Sequence, residues 1–195
     1  MTVGPLLLRV AALLEYLGID HAFMGGQAVI QLGEPRFTRD VDALVEADYT
    51  RVSQVAAAAK DFGLRPPDGD VEVFVRQKGV LVLYDEKSPM HVDLVFGWTP
   101  YEQEALTRKV AIPFDEQRLE FITAEDLILH KMFASRPQDI EDVKGVLLRQ
   151  RGKLDLGYIR HWLPQLAEVA DEPGIVEKFE AMLVKYYYPP EGKLI

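Results

Sequence analysis

The stretch MGGQAVIQLGEPRFTRDVDALV, residues 24–45, sets two glycines, a basic spacer and an Asp-x-Asp pair in one short run. Its end alternates polar and apolar residues and predicts a strand. Asp40 and Asp42 then leave one face, with alpha carbons about 6.6 Å apart, while Val41, Ala43 and Val45 turn to the other. Gly25 and Gly26 follow a short strand-like run, DHAF, and precede QAVIQL, which reads as a brief helix closed by Gly33. Backbone N–H groups at that helix start suit an anion, and glycine lets it come close. Each part alone has a plainer reading. Gly-Gly makes an ordinary tight turn, and an acidic pair most often faces solvent. The order carries the information: an anion cradle, then acids able to share a cation on the next strand.

The chain has 195 residues, 48% of them hydrophobic and 27% charged, which suits one globular unit or a domain with a smaller appendage. A net charge of -9 argues against tight nonspecific binding along a nucleic-acid backbone, while leaving a local basic patch open. The chain has no cysteine, hence no disulfide and no thiolate metal site, and a reducing cytoplasm is the natural expectation. Near the N-terminus Leu6, Leu7, Val10, Leu13, Leu14 and Leu17 recur at helical spacing, interrupted by Arg9 and Glu15. That pattern predicts an amphipathic helix rather than a signal peptide. No apolar run approaches the roughly 20 residues that span a membrane.

Further along, DYTRVSQVAAAAKDFG predicts a helix capped by Gly63, RPPDGD a loop, and VEVFV, VLVLY and MHVDLVF three strands. PYEQEALTRK predicts a short helix and residues 110–122 extended chain. At Thr123 the character changes: TAEDLILHKMFASR opens on an N-cap with acids in its first turn, and the remainder reads as helical. The expectation is an α+β chain, with an α/β head over residues 1–122 and a helical region over 123–195, and with the chemistry between them.

Asp93, in HVDLV, is a third acid in a strand, costly to bury unless it faces solvent, pairs with an arginine or meets a cation. Three carboxylates on adjacent strands would suit Mg²⁺ or Mn²⁺. In the helical region Lys131 lies at the edge of an apolar stripe, and a snorkelling surface lysine is the commoner fate of such a residue. Pro137 predicts a helix start, after which Asp139 and Asp142 share a face; Arg136 suits either a phosphate or a neighbouring acid. The four histidines, His21, His91, His130 and His161, are scattered without HExxH, and GxSxG, Walker A and GxGxxG motifs are missing. The run YYYPP at the C-terminal end suits base stacking or plain packing.

Met24-Gly25-Gly26, Asp40-Val41-Asp42 and Asp93, in that order, resemble the polymerase-beta-type nucleotidyltransferase superfamily. RFTRDVD and EDLILHKMFASRPQDIEDV look like bacterial nucleotidyltransferases of the abortive-infection toxin type, and the resemblance spans most of the chain. It implies a nucleotidyltransferase-fold mixed sheet with flanking helices. It also implies transfer of an NMP from an NTP to an acceptor hydroxyl with release of pyrophosphate, on a tRNA or a protein, with a cognate antitoxin as partner. By that resemblance Asp40, Asp42 and Asp93 hold Mg²⁺ or Mn²⁺, and Lys131 offsets charge at the reacting phosphate. Gly25, Gly26, Arg36, Thr38, Arg136, Asp139 and Asp142 contact the nucleotide or position those that do. Gln138 departs from the family pattern, in which a basic residue commonly precedes the first helical acid. The alternatives are an aminoglycoside-type transferase acting on a small molecule and a nucleotide-binding module of the same fold without turnover.

Overall fold

A computed structural model describes residues 3–188 of the chain. Of the YYYPP run, Pro189 and Pro190 lie outside the described residues. The chain divides into two compact units, residues 1–27 with 37–122 and residues 28–36 with 123–195.

The first unit carries all the described strands. Helix α1 (Gly4–Tyr16) has Pro5 in its first turn and ends before Gly18, whose φ of 60° turns the chain back. Its stripe of Leu6, Leu7, Val10, Leu13 and Leu14 is buried. Strand β1 (His21–Met24) leads into helix α2 (Gly25–Leu32), and β2 (Asp40–Val45) follows the basic spacer. Helix α3 (Val52–Ala59) is flanked by 3-10 turns and closed by Gly63 at φ 68°. Then come β3 (Leu64–Arg65), α4 (Val71–Lys78), β4 (Val80–Asp85), β5 (His91–Phe96), α5 (Pro100–Arg108), β6 (Val110–Phe114) and β7 (Gln117–Phe121). The sheet order is β3-β4-β5-β2-β1-β7-β6. Pairs β2–β5 and β1–β7 are parallel, and the other pairings are antiparallel.

The segment VEVFV, read as a strand from its β-branched residues, is the helix α4. Its caps outweigh its strand propensity. The Asp70 carboxylate accepts the N–H groups of Glu72 and Val73, Gly79 closes the far end at φ 70°, and Arg76 and Lys78 sit in the last turn. Val75 is its one fully buried residue, so the helix has no second sheet face to satisfy.

The second unit is helical: α6 (Ala124–Ala134), α7 (Pro137–Arg149), α8 (Leu156–Ala170), α9 (Ile175–Met182) and a π-helical turn at Leu183–Tyr187. Helix α6 packs against α7, α8 and α9. Thr123 caps α6 by accepting the Asp126 N–H at 3.2 Å, and its hydroxyl donates to the Asp126 carboxylate at 2.6 Å. The Tyr158 hydroxyl donates to the other Asp126 oxygen at 2.7 Å, so this fully buried acid has its acceptors engaged.

Residues 28–36 group with this unit because α7 grips their backbone. Arg149 donates to the Gly33 carbonyl at 2.7 Å and Gln150 to the Leu32 carbonyl at 2.8 Å. A Cβ on Gly145 would lie 3.0 Å from Glu34, so glycine there permits the close approach. The chain thus passes between units after residues 27, 36 and 122. Among the described residues no helix is long and apolar enough to cross a membrane.

Candidate active site

Strands β2 and β5 run parallel with Asp40 opposite His91 and Asp42 opposite Asp93. Because residues two apart on a strand share a face, all four side chains stand on one side of the sheet, at the corners of a rectangle about 6.6 Å by 4.8 Å. The alternate residues Val41, Ala43, Val92 and Leu94 are fully buried on the opposite face. That apolar face fixes the register, since a slip of one residue would put the acids in the core.

Gly25 meets two requirements at once. Its φ is 59°, and a Cβ there would overlap the Asp42 carboxylate and lie 2.6 Å from Asp42 Cγ. Asp42 is therefore lodged against the first residue of α2, near the positive end of that helix. At Gly26 a Cβ would stand 2.5 Å from Thr38 Oγ1 and 2.8 Å from Thr38 Cβ, so Thr38 packs directly on the second glycine. Gln27 donates to the Asp40 carbonyl at 3.5 Å, a long contact holding the strand entry to the same turn.

His91 stands between two of the acids. Its Nδ1 lies 3.3 Å from Asp40 Oδ1 and its Nε2 lies 3.8 Å from Asp93 Oδ2. The sequence reading set this histidine aside as scattered; the signal was its place two residues before Asp93, which puts both on one face. Asp93 Oδ1 is buried and has no hydrogen-bond partner. Burial is the largest influence on the Asp93 carboxyl and lifts it; His91 pulls it down and the Asp40 charge pushes it up, leaving it raised above its usual range.

The donors suit a hard divalent cation in kind: carboxylate oxygens on one face, one of them buried and unsatisfied. As they stand they do not close on a point. Among the described residues no three histidine, aspartate or glutamate side chains are gathered tightly enough to cage a metal ion. Asp40 and Asp93 stand at diagonal positions of the strand pair, with the His91 ring between them.

The other residues expected at a site lie in the second unit, and there the structure gathers Arg36, Lys131, Asp139 and Asp142. Lys131 Nζ is 2.8 Å from Asp139 Oδ1 and 2.9 Å from Asp142 Oδ2. Arg36 grips Asp142 with two parallel bonds, Nε to Oδ1 at 2.7 Å and Nη2 to Oδ2 at 2.8 Å. Gln138, the departure from the family pattern, donates to Asp142 Oδ1 at 3.2 Å. Burial by itself lifts the Asp142 carboxyl, but the bonds from Arg36, Lys131 and Gln138 and the Lys131 charge carry it below its ordinary 3.8. Lys131 is 9% exposed, so it is a buried, doubly paired ammonium and not a snorkelling one. Arg136 is different: its side chain is 79% exposed and reaches Asp139 at 3.8 Å only. A cavity of about 190 Å³ beside the cluster is lined by Glu34, Pro35, Arg36, Gln138 and Asp142, among others. His130, next to Lys131, is fully buried, and burial with the lysine charge lowers its pKa to about 4, which keeps it neutral.

The fold has counterparts among solved structures. An antigenic nucleotidyltransferase-like protein from Paracoccidioides brasiliensis is 19% identical, with 85% of this chain and 90% of that chain covered at a TM-score of 0.52. The lincosamide antibiotic adenylyltransferase LnuA, solved with lincomycin bound, is 16% identical over 75% of this chain and 96% of that one, at 0.53. The antibiotic-resistance factor ANT(2'')-Ia is 14% identical over 93% and 95%, at 0.54. At such identities the likeness concerns the fold. A search of curated protein sequences gives no match. The model of the family described as "Nucleotidyltransferase of unknown function (DUF6036)" matches residues 10–187, a span that takes in the glycine pair, all three sheet acids and the Lys131 cluster. With the mixed sheet and the glycine-to-acid geometry already in place, the chain belongs to that nucleotidyltransferase family.

Proposed function

We propose that the protein is a metal-dependent nucleotidyltransferase that moves an NMP from an NTP to an acceptor hydroxyl and releases pyrophosphate. One observation carries this reading: Gly25, with its positive φ and bare Cα, seats Asp42 against the start of α2, with Asp93 in register across the strand pair. That placement supports an anion cradle at the start of α2 beside an acidic face that would take a cation. Asp40, Asp42 and Asp93 would hold Mg²⁺ or Mn²⁺, which when bound would screen the triphosphate and acidify the acceptor hydroxyl. Gly25 and Gly26 would offer the backbone N–H groups at the start of α2 to phosphate oxygens, with the hydroxyl of Thr38, packed on Gly26, beside them.

Lys131, Arg36 and Arg136 would offset phosphate charge, with Asp139 and Asp142 orienting Lys131. This is a separable part of the proposal, read from the family resemblance and from the ion pairs that fix Lys131 in place.

The motifs RFTRDVD and EDLILHKMFASRPQDIEDV support a toxin-type acceptor, a tRNA or protein hydroxyl, with a cognate antitoxin as partner. The absence of cysteine suits action in the cytoplasm. A second reading, transfer to a cationic small molecule, is supported by the net charge of -9 and by the likeness of fold to LnuA and ANT(2'')-Ia.

Incubation with labelled NTPs and Mg²⁺ or Mn²⁺, offered total tRNA, cell protein or aminoglycosides in separate reactions, tests the proposal. Label transfer to one class by the wild type, lost in Asp42→Asn, is the expected result. Equal labelling by the folded Asp42→Asn protein would sink the assigned chemistry.

A further inference from the structure

The sheet face that bears the acids continues past them. Register carries one row of side chains across four strands: Arg65 stands opposite Tyr84, Tyr84 opposite His91 and His91 opposite Asp40. Directly opposed residues share a face, so Arg65 and Tyr84 lie on the same side as Asp40, Asp42 and Asp93. The alternate residues agree: Leu81, Leu83, Val92 and Leu94 are fully buried, whereas Tyr84 is 41% exposed. We infer that Tyr84 and Arg65 form the acceptor side of the site, a step on which the terminal base of a nucleic-acid strand stacks. The inference rests on the transferase reading above and adds to it the side of entry and the residues that receive the acceptor.

The side of entry follows from the order of the strands. In nucleotidyl transfer the acceptor oxygen bonds to the α-phosphorus while the bond from that phosphorus to pyrophosphate breaks, and the hydroxyl proton is released. Attacking and leaving oxygens stand roughly in line, on opposite sides of the phosphorus. The proposed cradle for the phosphates, Gly25 and Gly26, follows β1, and the order β4-β5-β2-β1 puts the acids between it and β4. The acceptor then comes over β5 and β4. There Tyr84 is a diagonal neighbour of Asp93, with alpha carbons about 8 Å apart.

The chemistry of the step selects the acceptor. The Arg65 guanidinium lies 5.3 Å from the centre of the Tyr84 ring, a cation on an aromatic face, and its side chain is half exposed. Asp68, the acid 3.6 Å from Arg65, is fully exposed, so that pair is weak and leaves the guanidinium able to meet a phosphate. A planar cation beside a ring suits a flat base followed by a phosphate. A polycation meets repulsion there, and a serine or threonine hydroxyl of a protein brings no flat group to stack. The net charge of -9 limits the contact to the strand end, because a longer polyanion meets a chain of its own sign.

Binding of a fluorescein-labelled single-stranded RNA with a free terminal hydroxyl, followed by anisotropy at low salt on the full chain, tests this without reference to turnover. Tyr84→Leu is expected to weaken binding about tenfold, and Tyr84→Phe, which keeps the ring, to stay within about twofold of the wild type. Arg65→Gln should also weaken binding and make its salt dependence shallower by about one counterion. Both side chains are part-exposed, so the variants are expected to fold, and each should keep the rise in melting temperature that NTP with Mg²⁺ gives the wild type. RNA that does not bind the wild type, that binds Tyr84→Leu as tightly, or that is lost equally in Tyr84→Phe would overturn the inference, while an intact NTP shift leaves the transferase reading standing. Loss of the NTP shift in folded Tyr84→Leu would overturn it too, by placing the ring on the donor side. A wild type with no NTP shift would instead remove the transferase reading and the acceptor side with it.

Discussion

The protein holds two clusters of charge, and they are built on opposite principles. In the second unit Asp142 has Arg36, Lys131 and Gln138 on its two oxygens and is 2% exposed, so nearly every bond it can make is made inside the chain. On the sheet face of the first unit three acids and a histidine share one side, with an Asp93 oxygen buried and unsatisfied. The first cluster is closed by ion pairs within the chain; the second keeps a buried oxygen that no hydrogen bond reaches. A buried carboxylate oxygen left without a donor costs free energy, and here it belongs to a side chain that shares its face with two more acids. That contrast separates a cluster whose charges are paired within the chain from one with a buried oxygen left unpaired.

The largest test of the contrast is removal of Asp142. Asp142→Ala leaves Lys131 with one acid and Arg36 with none of its two bonds, and is expected to cost about 3 kcal/mol or more, read by denaturant midpoint. A loss under about 1 kcal/mol would mean that the cluster is not the internal tie described.

Next come the two glycines with nearly equal dihedral angles. Gly18 has φ 60° and open space around its Cα, whereas Gly25 has φ 59° and Asp42 where a Cβ would go. Gly18→Ala is expected to cost about 1 kcal/mol for the left-handed backbone alone, and Gly25→Ala roughly 2–3 kcal/mol because the clash adds. Equal losses, measured by thermal unfolding of both variants, would show that Asp42 is not lodged against Gly25.

A smaller effect follows from pH. The Asp142 pKa is depressed below 3.8, so its ionised form favours the folded state. That contribution is complete above about pH 3.8 and is lost as pH falls through the lower folded value. Asp142→Asn should therefore flatten the fall in stability below that pH, and an unchanged acid limb would contradict the assignment. At the small end is Arg136, exposed and 3.8 Å from its acid: Arg136→Ala is expected to change stability by less than about 0.5 kcal/mol. Any larger loss would make it part of the closed cluster.

Much of this was legible in the sequence where local rules and tertiary needs agree. The period-2 pattern of DVDALV and HVDLVF, the Thr123 cap and Pro137 at a helix start all appear where the residues predict. The reading failed at α4, where Asp70 and Gly79 decide and the run of valines misleads. Two further features depend on distance in the chain. Nothing local tells that residues 28–36 group with helices a hundred residues away, since that follows from Arg149 and Gln150 reaching backbone carbonyls. Likewise the pairing of Arg36 with Asp142, and the place of His91 opposite Asp40, come from register and packing between segments remote in sequence.

The central claim is that the sheet face waits for a cation and a phosphate chain, and Asp42→Asn meets it most directly. Melting temperature is to be measured for wild type and variant, each alone, with Mg²⁺, and with Mg²⁺ plus NTP. The account predicts a variant within about 1 kcal/mol of the wild type when no ligand is added, because asparagine keeps the shape of the side chain lodged against Gly25. It predicts that saturating NTP with Mg²⁺ raises the wild-type melting temperature in a concentration-dependent way and leaves the variant unmoved. A folded wild type that shows no shift, or a variant that shifts as much as the wild type, would contradict it.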